Sequence, residues 1–314
     1  MRSANAVMSY PRINGIVMVL TGAVLWGISG TVAQYLFQQR GFSPEWLVVI
    51  RLLFSGILLL GFAYRKEKQR IWGIWKNKRD LVSLLLFSIL GMVAVQYTYF
   101  AAIHHGNAAT ATVLQYLAPV LITCYVAVRS KRLPVLKEII AVVLALLGTF
   151  LLVTQGSIHA LSMSGWALFW GLLSAVSLAF YTLQPHKLLA AWGSMIVVGW
   201  GMLLGGVGFS FIHPPWRFEG QWSTPSLFAV LFIVVFGTLI AFYCYLESLT
   251  YLSASEASLL ACAEPLSAAV LSVVWLQVAF GPVEWAGTAC ILSTIVILSM
   301  VTDKETVNLN RKKR

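Results

Sequence analysis

The sequence predicts an all-α integral membrane protein, ten transmembrane helices arranged as two inverted five-helix repeats, and three observations carry that prediction. Apolar runs of about 20 residues fill the chain almost end to end, the length at which a helix crosses a hydrocarbon core. Cations collect in alternate gaps between those runs, and a stretch of the first half recurs in the second. The composition agrees: 59% hydrophobic against 11% charged residues lies outside the range of a soluble domain. Backbone groups in lipid must be satisfied within their own segment, so runs of this length are helices.

Taken in order, the expected spans are Ile13–Phe37, Trp46–Tyr64, Leu81–Ile103, Ala108–Val128 and Leu133–Val153, then Gly165–Pro185, Trp192–Ile212, Ser226–Glu247, Ala254–Val278 and Gly281–Val301. The first is too long for a signal peptide, and its end at Ala33-Gln34-Tyr35 lacks a small-x-small cleavage pattern. Only the N-terminal segment 1–12, the connection Arg65–Asp80, the segment His213–Pro225 and the basic tail 302–314 are polar enough for water. Cys124, Cys244, Cys262 and Cys290 fall inside spans without CxxC spacing, which argues against a disulfide framework or a metal site. His104 and His105 close the third span with no third ligand spaced nearby, so no metal is expected.

Orientation follows from the cations. Arg2 and Arg12, the seven basic residues between Arg65 and Arg79, the group Arg129, Lys131, Arg132 and Lys137, Lys187, Lys304 and Arg311–Arg314 all fall on one side. The opposite loops hold Arg40 and Arg217. By the positive-inside rule the basic side is cytoplasmic, so both termini are expected inside a cell (plasma) membrane. The formal net charge of +11 is then a topology signal, and no nucleic acid partner is expected, because no aromatic-interleaved soluble module accompanies it.

A shift of 146 residues lays Tyr97-Thr98-Tyr99 on Tyr243-Cys244-Tyr245, Ala108 on Ala254, Ala111 on Ala257, Leu114 on Leu260 and Pro119 on Pro265. Glu138 falls opposite Glu284, while Pro134 and Pro282 match only after a small insertion; near the start of each half the shift becomes 150, with Gly15 on Gly165 and Gln34 on Gln184. Five spans is an odd number, so the second half enters the membrane with opposite orientation, an architecture that recurs in secondary transporters.

Leu25-Trp26-Gly27, Arg51-Leu52-Leu53, the stretch from Tyr99 to Pro119, and Ala263-Glu264-Pro265-Leu266 together resemble the drug/metabolite transporter superfamily, in particular its EamA-like ten-helix members. The resemblance implies EamA-like repeats at 13–153 and 165–301, a central cavity, and movement of a small metabolite.

Glu264 is the first candidate on the transport pathway: it lies about ten residues, or roughly 15 Å, into its span, where a carboxylate must be paired, protonated or beside a wet cavity. Pro265 removes a helix hydrogen bond and frees the carbonyl near position 261, and Pro119 is its counterpart, with Ala118 in the place of Glu264. Arg51 lies shallower, within side-chain reach of Glu264 in depth; it is read either as a snorkelling side chain or as a carboxylate binder. Glu256 shares a helix with Glu264 and offers a proton path to the basic side; Glu247, like Glu256, also reads as a solvated helix end. Trp26, Tyr99, Gln115, Tyr116 and Tyr245 supply rings and amides of the kind a small-molecule cavity uses, with Gln34, Gln96, Tyr97, Tyr181, Gln184 and Tyr243 in the wider set.

The leading expectation is a secondary active transporter of a small organic metabolite, amino acid-like or drug-like, working by alternating access with proton coupling. Expected partners are that solute, the lipid bilayer, protons and a second copy of the chain, with no cofactor. No GxxxxGK[ST] loop is present to drive transport by ATP, and the intramembrane acids lack His or Asp partners for catalysis. An uncoupled channel or a lipid-carrier flippase remains open on the same residues.

Overall fold

The computed structural model describes residues 10–129, 131, 135–154, 163–248, 251–252, 257, 260–261 and 263–312. Among them every regular element is helical. Helix α1 (Tyr10–Arg40) is followed by α2 (Pro44–Glu67), a 3₁₀ segment (Lys68–Lys76) and α3 (Lys78–Leu86), which runs through a π-helical segment (Phe87–Val93) into α4 (Ala94–His105). Then come α5 (Ala108–Gln115), α6 (Ala118–Arg129), α7 (Leu136–Thr154), α8 (Gly165–Leu183), α9 (His186–Trp192) and α10 (Ser194–Ser210). The chain continues through α11 (Thr224–Val234), a second π segment (Val235–Ile240), α12 (Ala241–Ser248), α13 (Ala263–Val274) and α14 (Pro282–Lys312).

Local chemistry sets the helix starts. Ser43 caps α2 ahead of Pro44, Asn77 caps α3, Asn107 caps α5 and Ser164 caps α8, each side chain accepting from a backbone N–H of the first turn. Among the described residues six helical stretches are long and apolar enough to cross a membrane: Arg12–Arg40, Pro44–Lys76, Lys78–His105, Ala108–Arg129, Gly165–Leu183 and Thr224–Tyr245. Helices α9 and α10 reach that length only as a pair, and the pair is bent by 120° at Gly193, whose φ of +77° suits glycine. Helix α13 and the stretch Pro282–Ile297 are apolar but shorter. The ninth expected span is therefore described as continuous helix only over Ala263–Val274, and residues 253–256, 258–259 and 262 lie outside the described residues.

The packing is close, and both the interior and much of the exterior are apolar. Helix α1 lies against α12 and α13, α8 against α4 and α5, α2 against α10, α7 against α14, and α5 against α13. Glycines permit several of these approaches: a Cβ on Gly56 would come within 2.6 Å of the Leu203 backbone nitrogen, and one on Gly148 within 2.7 Å of the Gly287 carbonyl. Meanwhile Phe54, Leu146, Phe169 and Phe228 point outward and exposed, a surface that lipid covers at no cost.

One expected water-facing segment is more packed than its polarity suggests. In His213–Pro225, Phe218 and Trp222 stack on one another at 4.9 Å and meet Phe42 and Trp46 edge-to-face with centroids 5.0–5.6 Å apart, and Trp46 Nε1 donates to the Pro215 carbonyl at 2.8 Å. Aromatic area outweighs the polar residues between, so the loop is pinned over the α1–α2 turn.

Candidate functional site

Two helix breaks meet in the bundle. The first separates α5 from α6 at Tyr116 and Leu117, just before Pro119; the second lies ahead of α13, just before Pro265. Proline has no N–H to donate four residues back, so the Ala261 carbonyl loses that helical partner. It accepts the Glu264 backbone N–H at 2.9 Å instead, and from the other break the Tyr116 hydroxyl donates to the same Ala261 O at 2.8 Å and lies 3.0 Å from Glu264 Oε2. The lost helical partner was legible from the sequence. The tyrosine was not.

A tyrosine hydroxyl carries one proton, and a backbone carbonyl can only accept. With Tyr116 donating to Ala261 O, the contact with Glu264 is a hydrogen bond when Glu264 itself carries a proton; an ionised Glu264 competes with Ala261 for the tyrosine proton. Glu264 as a residue is half-buried.

Three elements hold this pair in place. Helix α1 presents Gly27, and a Cβ there would come within 2.5 Å of the Glu264 carbonyl and overlap Ser267 Oγ, so only glycine lets α1 lie on the second break. One turn on, Gly30 leaves room for the Tyr99 hydroxyl, which shares a 2.7 Å hydrogen bond with Thr112 of α5. Trp26 packs on Phe242 and Tyr245 of α12 with centroids 5.1 and 5.2 Å away. Tyr99 and Tyr245 both lie within electrostatic range of Glu264.

The structure gives Arg51 different partners. It is buried, its Nε donates to Thr238 Oγ1 at 3.2 Å, and its guanidinium sits 4.7 Å from the Phe100 ring centre. Thr238 lies in the second π segment and donates to Ile233 O five residues back, a register that only the π turn allows. Among the described residues no carboxylate pairs with Arg51, and Tyr99 lies within electrostatic range of both Arg51 and Glu264. Depth alone allowed an Arg51–Glu264 pair; packing sends the two elsewhere.

Other expected residues divide into packing and outlying positions. Gln115 ties α5 to α8 by donating to Ser174 Oγ at 2.7 Å. Gln34 accepts from Ala108 N at 2.8 Å, Gln184 donates to Ser83, and Tyr97 donates to Glu45 at 2.9 Å. Tyr181 stacks on Phe87, Tyr243 is exposed, and His104 and His105 pack edge-on to one another with Phe37 and Trp166 beside them. Glu256 lies outside the described residues. Sequence reasoning missed Thr112, Ser174, Thr238 and both π segments. Gly91 and Gly237, which stand at the 146-residue shift and lie one in each π segment, were the available signal.

Paired helix breaks around an acidic side chain, in a bundle with an apolar exterior, belong to membrane transport proteins. Matches over residues 13–154 and again over 165–300 make the assignment specific: the chain belongs to the EamA-like transporter family. It is 42% identical over 289 residues to the uncharacterized inner membrane transporter YicL of Salmonella typhimurium, covering 91% of this chain and 95% of that one. It is 28% identical to the uncharacterized transporter YwfM of Bacillus subtilis, over 91% and 94% of the two chains. A solved crystal structure matches with a TM-score of 0.60 at 17% identity, over 92% of this chain and 98% of that chain, a likeness of fold. The protein is thus a membrane transporter by family, within the drug/metabolite transporter superfamily that the sequence resembles.

Proposed function

We propose that this chain is a secondary active transporter of a small organic metabolite in the plasma membrane, working by alternating access, with a proton on Glu264 coupled to the movement. The observation that carries the reading is the single Tyr116 hydroxyl offered to two acceptors on the opposite break, Ala261 O and Glu264. With a proton on Glu264, Tyr116 bridges to Ala261 and holds the breaks together. When the proton leaves, the carboxylate takes the tyrosine proton in a charge-assisted hydrogen bond, and the bridge passes from the Ala261 carbonyl to the Glu264 side chain. Loss or gain of one proton is thereby linked to which group of the second break Tyr116 holds.

Ten spans in two inverted repeats remain the proposed architecture. Support comes from helix contacts that keep their pattern when each span is exchanged for the one five places on: α1 with α12 and α13 mirrors α8 with α4 and α5. Further support comes from Glu138 and Glu284, which accept from Val135 N and Gly281 N at 3.0 Å each, both pairs at a shift of 146. Both termini are proposed to be cytoplasmic.

Proteoliposomes with an imposed pH gradient, screened against amino acids, sugars, nucleosides and cationic drugs, test the function. Accumulation above equilibrium is expected; flux that only equilibrates would make the protein a facilitator. For orientation, cysteines placed at positions 105 and 217 should label from outside intact cells and one at 68 should not. Labelling at 68 would sink the inverted arrangement.

A further inference from the structure

We infer that the surface formed by the 3₁₀ segment and the start of α3 is a binding site for an anionic phospholipid, with the headgroup on Lys78 and Arg79 and an acyl chain along Val82 and Leu86. The first argument is charge. Between Arg65 and Asp80 the chain carries seven cations and two carboxylates, and both carboxylates are engaged within the protein: Glu67 pairs with Arg70 at 2.9 Å, and Asp80 accepts from Trp192 Nε1 at 3.1 Å. Lys76, Lys78 and Arg79 are exposed, and among the described residues no carboxylate pairs with them.

The second argument is shape. Lys78, Arg79, Val82, Ser83 and Leu86 line one open groove, with the cations at the helix start and the exposed apolar side chains of Val82 and Leu86 further along the helix. A phospholipid has that division of charge and chain; a free anion would leave the apolar part unused.

The third argument places the surface at the edge of the bilayer. Ile71 and Ile74 anchor the 3₁₀ segment in the core, while Trp72 and Trp75 stand exposed, edge-on to Trp200 at 5.2 and 4.9 Å. Trp200 Nε1 donates to Ile71 O at 2.9 Å, and Trp192 packs against Gly73, which has no Cβ to exclude it. The segment is held rigid with its indoles turned outward, where tryptophan prefers the headgroup layer. Cations at that level attract anionic headgroups, each by about fivefold.

Native mass spectrometry of the purified full chain with equal phosphatidylglycerol and phosphatidylcholine tests the site. Retention of phosphatidylglycerol is expected to exceed that of phosphatidylcholine by on the order of tenfold, and Lys78→Ala with Arg79→Ala should bring the ratio close to one. Both side chains are exposed and the Asn77 cap is untouched, so the variant is expected to fold. Arg129→Ala with Lys131→Ala removes the same charge from a different connection and should keep the preference. No preference in the wild type, or an equal loss in both double variants, would overturn the site. Displacement of the lipid by excess inorganic phosphate would overturn the acyl-chain assignment.

Discussion

The two helix breaks carry the same proline at the same offset and opposite chemistry. At the first, Tyr116 supplies a proton donor and Ala118 is inert; at the second, Cys262 and Glu264 stand at the matching positions in the sequence, with the Ala261 carbonyl beside Glu264 as a second acceptor. A break in each half would by itself give two identical hinges. Placing the donor on one and the acceptors on the other turns them into a pair that must meet, and adds a titrating group to only one side. The duplicated backbone supplies the hinge, and the divergence of two side chains supplies its chemistry.

Removing the acid breaks this comparison most severely. Glu264→Gln keeps size and hydrogen bonding while fixing the neutral form, so pH-gradient-driven accumulation should fall by about tenfold or more, the scale of a charge-assisted hydrogen bond, while solute exchange becomes independent of pH. Measured at wild-type expression, unchanged coupled accumulation would reject a proton role.

The glycines that admit the flanking helices come next. Gly27→Ala drives a methyl into the Glu264 backbone, which cannot swing aside, and should cost about 1–3 kcal/mol in thermal unfolding. Gly171 faces the Leu114 side chain at the first break, at 2.6 Å, and a leucine can re-pack; Gly171→Ala should cost less, under about 1 kcal/mol. Equal costs would mean that the second break is no more tightly held than the first.

Tyr116→Phe removes the donor and leaves both acceptors. Exchange should slow by about three- to tenfold, corresponding to one net hydrogen bond, and its pH profile should change shape. A uniformly slower rate with an unaltered pH profile would make Tyr116 a packing residue. Ser174→Ala leaves Gln115 without its acceptor while the Tyr116–Glu264 contact stays in place; melting should fall by about 1 kcal/mol equivalent with coupling intact.

What the sequence determined by itself is whatever depends on near neighbours along the chain. Run length and composition set helices and their membrane character, side chains such as Asn107 and Ser164 set where helices begin, and Pro265 set which carbonyl would lose its partner four residues on. The recurrence of Pro119 as Pro265 marked both breaks before any coordinates. The tertiary structure decided who faces whom. Tyr116 and Glu264 are 148 residues apart, and nothing in their spacing tells that one hydroxyl reaches the other span. Arg51 met Thr238 and Phe100 because a π turn rotates Thr238 toward it, and Phe218 and Trp222 packed against Phe42 and Trp46. Helix formation is a local choice of backbone hydrogen bonds, whereas a side chain's partner is fixed by which faces pack, and that depends on small residues such as Gly27 and Gly30 at the points of closest approach.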